Sequence, residues 1–373
     1  MMQSKVTGWR AAKMGIKVVS LFSGGGGLDL GFLSEGYQVV WAIDNNRNAV
    51  ETYKKNIGDH IICGDINEVD IARIPQADVV IGGPPCQSFS LAGNRNVEDD
   101  RGKLVWRYIH IIEQVKPKGF VFENVTGLMS ARNSQGEKII DLLKEAFRRI
   151  GYTITLRILN AADYGVPQRR RRVFIVGLRE GEFYFPEPTH SEKGGEKLRY
   201  VSVREALGDL PDAVEDENGL ARFTCHPENE YQKKMRAGEF VSEHFIPQMS
   251  ELDRYIVSHV KPGGNYKDIP EDVNSSRIRR LQKEGGHTTC YGRMAPDQPS
   301  YTINTYFNRP NVGCNIHYLQ DRLITVREAL RLQSFPDSYR IVSSSKQGRN
   351  LIVGNAVPPM LAAVIAKELK KYL

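Results

Sequence analysis

Cys86 closes a run built to present a thiol: Ile81-Gly82-Gly83-Pro84-Pro85-Cys86-Gln87-Ser88-Phe89-Ser90. Asp78-Val79-Val80-Ile81 reads as a short buried strand. The two glycines end it, and the two prolines fix φ just ahead of the sulfur. That places a nucleophile at the carboxyl end of a strand, the edge where open α/β sheets bind ligands. Most free cysteines are only small buried hydrophobes; a strand, two glycines and two prolines converging on one thiol argue against that here. A second reactive group follows the apolar run Phe120-Val121-Phe122, in Glu123-Asn124-Val125. A carboxylate directly after a buried strand is costly unless it has partners or a task. A third is Gln168 with Arg169, Arg170, Arg171 and Arg172, a concentration of anion-binding guanidinium groups.

These groups need a scaffold. Lys17–Phe22 reads as a first buried strand, entering the glycine-rich turn Ser23-Gly24-Gly25-Gly26-Gly27-Leu28-Asp29-Leu30-Gly31-Phe32. Glycines after a strand let a ligand approach the backbone. The dinucleotide spacing Gly-x-Gly-x-x-Gly is absent, because counting from Gly24 and Gly26 the next position is Asp29; this disfavours a nicotinamide or flavin site. Tyr37–Ile43 is a second strand ending at Asp44, which can accept from ribose hydroxyls or cap a helix over Asn45–Asn56. Cys63-Gly64-Asp65-Ile66 follows a third, and Asp65 alone is compatible with a simple turn. Gln87–Gly102 reads as a long polar loop, taken as a mobile lid. Leu104, Val105, Tyr108, Ile109, Ile111, Ile112 and Val115 then repeat at helical spacing. A helix over Gly136–Ile150 and strands over Tyr152–Leu159 and Val173–Gly177 continue the alternation. The expected fold is α/β, a doubly wound, mostly parallel sheet, with a second, smaller, loop-rich domain where the rhythm is lost. The expected boundaries are 1–182 plus 321–373 for the first domain and 183–320 for the second. Thr325–Leu332 gives a short helix signal, and Gly354 to Pro359 precede a terminal amphipathic helix.

The chain has 373 residues, a net charge of +7 and a pI near 9.0. Arg169–Arg172 form one basic cluster, and Arg277, Arg279, Arg280 and Lys283 form another. Two clusters flanking one segment favour phosphate contact over plain solvated faces. Hydrophobic content of 40% and charged content of 25% are those of a soluble globular protein. No apolar run reaches a membrane span and Met-Met-Gln-Ser-Lys is no signal peptide, so a cytoplasmic protein with no membrane partner is expected. Five cysteines without a Cys-x-x-Cys pair argue against structural zinc and a disulfide framework, and no metal site is expected.

Pro84-Pro85-Cys86-Gln87, Glu123-Asn124-Val125, Gln168–Arg172 and Gly354-Asn355-Ala356-Val357-Pro358-Pro359 occur in that order. The chain resembles the S-adenosylmethionine-dependent DNA cytosine-5 methyltransferases of bacterial restriction–modification systems, over most of its length except roughly 183–320. The resemblance implies that Phe22, Gly24, Gly25 and Gly26 wrap S-adenosylmethionine, which leaves as S-adenosylhomocysteine. It implies that Asp44 takes the ribose, that Asp65 and Ile66 meet the adenine, and that Pro85, Leu104, Asn355, Ala356 and Val357 complete the pocket. It gives Cys86 the role of nucleophile toward cytosine C6. Glu123, its pKa raised by burial, would serve N3; Arg172 would hold O2, and Arg170 would orient a phosphate or Glu123. The second domain would read double-stranded DNA around a flipped-out base, with Arg277, Arg279, Arg280, Tyr291, Arg293, Tyr306 and Arg309 as candidates. A monomer, genetically paired with a restriction endonuclease, fits this reading. A tRNA cytosine-5 methyltransferase and a catalytically dead DNA-binding protein on the same fold stand as alternatives.

Overall fold

The computed structural model describes residues 15–85, 100–133, 135–216 and 219–373, with backbone alone over 100–103. Cys86 and residues 87–99 of the expected lid lie outside the described residues. The chain divides into two compact units. Unit 1 takes the chain up to Asn160, Arg171–Glu187 and Pro359–Leu373; unit 2 takes Ala161–Arg170 and Pro188–Pro358.

Unit 1 holds one seven-stranded sheet. Its strands are β1 (Lys17–Leu21), β2 (Gln38–Asp44), β3 (Ile61–Cys63), β4 (Val79–Gly82), β5 (Gly119–Val125), β6 (Thr153–Asn160) and β7 (Arg171–Leu178). They lie in the order β3-β2-β1-β4-β5-β7-β6. β3 through β5 pair in parallel, and β7 runs antiparallel to both its neighbours. Val18, Val19, Val79, Val80, Ile81, Phe120, Val121 and Phe122 are fully buried, as continuous apolar strands covered on both faces must be. Strand order reverses between β1 and β4, so a crevice opens beyond their carboxyl ends. The glycine turn and the Gly83–Pro85 segment both emerge there.

The crossovers are α1 (Gly27–Ser34), α2 (Arg47–Asn56), α3 (Asp100–Val115) and α4 (Ile139–Arg149). α3 begins at Asp100, so residues 100–102, expected in the long polar loop, are helical. α3 and α4 clamp an aromatic core under the sheet: Phe120 stacks on Phe147 at 4.3 Å, and Tyr108 meets Phe122 edge-on at 5.4 Å. Each such pair adds about 0.5–1.5 kcal/mol beyond area burial. The C-terminal helix Pro359–Leu369 packs on α1, and the Tyr37 hydroxyl donates to its Ala366 carbonyl at 2.9 Å.

Unit 2 is built from short capped helices and long connections. Its interior contains buried guanidinium groups as well as an apolar cluster around Ile256, Val257, Tyr266, Ile278 and Tyr291. The helix Val326–Leu332 opens on a capping box between Thr325 and Glu328. Its Arg327 donates to the Ser242 carbonyl and its Arg331 pairs with Asp209 and Asp337. These contacts draw residues 321–358, expected with the first domain, into unit 2; only the helix from Pro359 belongs to unit 1. Among the described residues Lys346–Tyr372 is the stretch long and apolar enough to cross a membrane, where the sequence suggested none; 61% of its most apolar window is buried inside the protein.

Candidate active site

Glu123 lies within β5 rather than capping it, and Arg172 lies within β7 rather than preceding it. The antiparallel register sets Glu123 opposite Phe174 and Val125 opposite Arg172. Residues two apart share a face, so Glu123 and Arg172 become diagonal neighbours on one side of the sheet. Arg172 Nε stands 3.1 Å from Glu123 Oε1, both side chains being largely buried. A buried carboxylate with a guanidinium beside it is tolerated where a lone one would not be.

The same carboxylate faces the end of β4. A Cβ added to Gly83 would lie 2.8 Å from Glu123 Oε2, so any larger residue here would displace the Glu123 carboxylate. Asn124, buried, donates from Nδ2 to the Pro84 carbonyl at 2.9 Å. Two adjacent residues of β5 therefore grip the segment that leads into Cys86. Pro85, the last described residue before Cys86, is exposed.

The other side of the crevice is a hydrogen-bonded frame. Phe22 leaves β1 with φ 55°, a conformation rarely held by a non-glycine residue. Ser23 Oγ donates to Ser20 Oγ and to the Ser20 carbonyl. Gly26, at φ 85°, starts α1; a Cβ there would also strike Ile57 at 2.2 Å. Asp44 accepts the Gly24 N–H and the Asn46 N–H, each at 2.8 Å. It is not the cap of α2; that is Asn46, whose side chain accepts from Ala49 N. Burial raises the Asp44 carboxyl above its ordinary pKa, against the pull of these two donors. The Gly64 N–H donates to the Asp44 carbonyl, and Asp65 closes a tight turn by accepting from Asn67 N at 2.9 Å. Ile66 is buried and Leu104 half-buried, both against the core under the sheet.

This frame fits a nucleoside. A Cβ on Gly24 would meet nothing within 4 Å, so the turn leaves open space. A carboxylate has about four acceptor positions, and the two backbone donors to Asp44 leave capacity for ribose hydroxyls.

Other expected residues go elsewhere. Arg170 is buried at 1% exposure in unit 2, where it donates to the Ile303 and Gly354 carbonyls. That removes it from any surface where a DNA phosphate would lie; it braces the residue before Asn355. Asn355 ends the helix Lys346–Asn355 of unit 2, Ala356 caps it and Val357 follows, with Asn355 exposed and Val357 buried. Arg169 pairs with Glu192 and Gln298. Of the candidate DNA readers, Tyr291 is in the apolar cluster, and Arg293 is buried on the Val257, Val260, His317 and Gln320 carbonyls. Arg277, Arg279, Arg280 and Lys283 remain exposed on the helix Ser276–Glu284, and Tyr306 is exposed with Arg309 over its ring at 5.1 Å.

Residue types alone did not single out Asn124, Ser20 or Asp29. Asp29 is fully buried in the first turn of α1, and Tyr53 Oη donates to its Oδ1 at 2.9 Å. His60 lies 3.1 Å beyond the same hydroxyl, and Asp44 is the other charge acting on the site. Burial pushes the Asp29 carboxyl from 3.8 up to about 6, against hydrogen bonds from Ser20 and Tyr53. A folded pKa raised above the unfolded value contributes stability below pH 3.8 that is lost as pH rises through about 6. Wild-type stability measured against Asp29→Asn is expected to fall by roughly 2.4 kcal/mol between pH 4 and pH 8. Urea midpoints across that range test this; parallel profiles for the two proteins would contradict it.

Sheet order, the single reversed strand and the glycine turn at the switch point define the Rossmann-like fold of the S-adenosylmethionine-dependent methyltransferases. The fold matches that of a prophage-encoded E. coli protein described as a DNA modification methyltransferase, with a TM-score of 0.72 at 24% identity over 95% of this chain and 99% of that one. At that identity the likeness speaks for the fold alone. Sequence carries the rest. Residues 16–371 match the C-5 cytosine-specific DNA methylase family. The Type II methyltransferase M.NgoFVII of Neisseria gonorrhoeae is 35% identical, covering 99% of this chain and 90% of its own length. M.FnuDI of Fusobacterium nucleatum is 35% identical, covering 96% and 95%. The chain belongs to the C-5 cytosine-specific DNA methylase family and is a DNA cytosine-5-methyltransferase.

Proposed function

We propose that the enzyme methylates C5 of a flipped-out cytosine in a specific double-stranded DNA sequence, using S-adenosylmethionine and a transient bond between Cys86 and C6. The observation that carries this reading is the Glu123–Arg172 pair set beside Gly83, three residues before Cys86.

Cytosine C5 is too poor a nucleophile to be alkylated directly. The Cys86 sulfur adds to C6 as a thiolate, forming S–C6 and pushing the ring's electron pair toward N3. A thiol with ordinary pKa is only a few per cent thiolate near neutral pH, roughly, so a nearby cation helps. Arg172 is the guanidinium at this edge. Glu123 meets N3 and the exocyclic amine, sharing or donating a proton as charge arrives there. Arg172, held by Glu123, is within the same group of side chains to take O2. S-adenosylmethionine supplies the electrophilic methyl group. C5, now enamine-like, accepts it; a base then removes the C5 proton, the C5–C6 double bond reforms and Cys86 leaves. Phe22, Gly24–Gly26, Asp44, Asp65 and Ile66 would hold the donor, with Pro85 and Leu104 beside them in unit 1.

The base must leave the duplex to reach a thiol, which costs about a few kcal/mol. Unit 2 supplies the recognition surface. The exposed row Arg277, Arg279, Arg280 and Lys283 suits phosphates, and Tyr306 with Arg309 suits base edges. A cytoplasmic monomer serving beside a restriction endonuclease completes the proposal.

Incubation with tritiated S-adenosylmethionine and mixed-sequence duplex DNA should label the DNA, and bisulfite sequencing should place every methyl on C5 of cytosine within one short sequence. Labelled RNA with unlabelled DNA would overturn the reading.

A further inference from the structure

We propose that Arg107 is a positioning residue for the methyl donor, fixing the turn after β3 from the helix that follows the nucleophile's segment. The inference rests on the donor assignment just given and adds a residue to it.

Arg107 lies two turns into α3, half-buried. Its Nε donates to the Ile66 carbonyl at 3.0 Å and its Nη2 donates to the Val69 carbonyl. One planar guanidinium thus spans the turn from Asp65 to Val69 at two points. A lysine cannot do this, because its ammonium is a point donor on a flexible stem. Within the turn, Asp65 accepts from Asn67 N and its carbonyl accepts from Glu68 N. On the near side, Gly64 is tied to Asp44, and Asp44 to Gly24.

Hydrogen bonds, joined by the peptide link from Gly64 to Asp65, therefore connect the glycine turn through Asp44 and the Asp65–Val69 turn to Arg107. Its far end is α3, the element joining β4, which leads to Cys86, to β5, which carries Glu123. Without Arg107 the turn keeps its internal bonds but loses its attachment to α3. The Ile66 face is then free to shift relative to Gly24 and Asp44. Donor affinity should suffer first, because a donor spanning both ends needs both in register.

The test is calorimetric binding of S-adenosylhomocysteine to wild type, Arg107→Lys and Arg107→Met, with donor KM, kcat and DNA affinity measured alongside. Hydrogen bonds from a charged group are strong enough that losing both should weaken binding by about tenfold or more. Arg107→Met is expected to show that loss in both Kd and donor KM, with kcat at saturating donor and DNA Kd changed by less than about twofold. Arg107→Lys is expected to recover part of it. Wild-type affinity in Arg107→Met overturns the inference. So does a parallel loss of donor affinity, DNA affinity and thermal stability in both variants, which would mark Arg107 as general scaffold. If wild type itself binds no S-adenosylhomocysteine, the donor assignment falls, and this inference with it.

Discussion

Glu123→Gln is expected to lower kcat by roughly 10²–10⁴-fold while leaving donor affinity nearly unchanged. The substitution keeps the size and shape of the side chain, so β5 and its contact with Gly83 should survive. In the proposed mechanism it removes the proton-sharing carboxyl at the place where electron density arrives when sulfur adds to C6. It also removes the partner of Arg172 Nε at 3.1 Å, leaving a largely buried guanidinium without its counter-charge. Single-turnover assays with saturating donor separate the chemical step from binding. A Glu123→Gln enzyme within about threefold of wild type in that step would remove Glu123 from the mechanism.

Arg331→Ala is expected to destabilise unit 2 by about 3–5 kcal/mol. Arg331 is fully buried, and its two Nη atoms lie 2.5 Å from Asp209 Oδ1 and from Asp337 Oδ2. Arg236 reaches Asp209 at 2.6 Å and lies over the Phe223 ring at 3.7 Å. Truncating Arg331 strands Asp337 and leaves Asp209 with a partner on one side only. Removing one member of a buried charge group costs far more than the group contributes as a whole. The combined replacement Arg331→Met and Asp337→Leu, which keeps Asp209 paired with Arg236, should therefore recover much of the loss. Urea unfolding measures both variants; a double variant less stable than Arg331→Ala would contradict the argument.

The catalytic half of the fold was legible because its strands are buried on both faces and read as unbroken apolar runs. β1, β4 and β5 fall where Val18-Val19, Val79-Val80-Ile81 and Phe120-Val121-Phe122 predicted them. Positions that depend on pairing were not legible. Glu123 and Arg172 look like loop residues until β7 reverses and the register extends both strands by a few residues. The run Arg169–Arg172 looks like one basic patch, yet Arg170 is buried on carbonyls, Arg169 faces Glu192 and Arg172 faces Glu123. Arg293 and Tyr291 show the same limit: residue type suggested DNA readers, and burial made them scaffold. Asn124 and Arg107 act by donating to backbone carbonyls, and carbonyls leave no mark in a sequence.

Covalent attachment at Cys86 remains the claim on which the mechanism stands. Duplex DNA carrying 5-fluorocytosine at the target position blocks loss of the C5 substituent and so arrests the enzyme after methyl transfer. With S-adenosylmethionine present, a denaturant-resistant protein–DNA adduct should form, peptide mapping should place the bond on Cys86, and Cys86→Ala should form none. An enzyme that methylates ordinary cytosine at the same site but yields no such adduct, or yields it through another residue, would contradict the account.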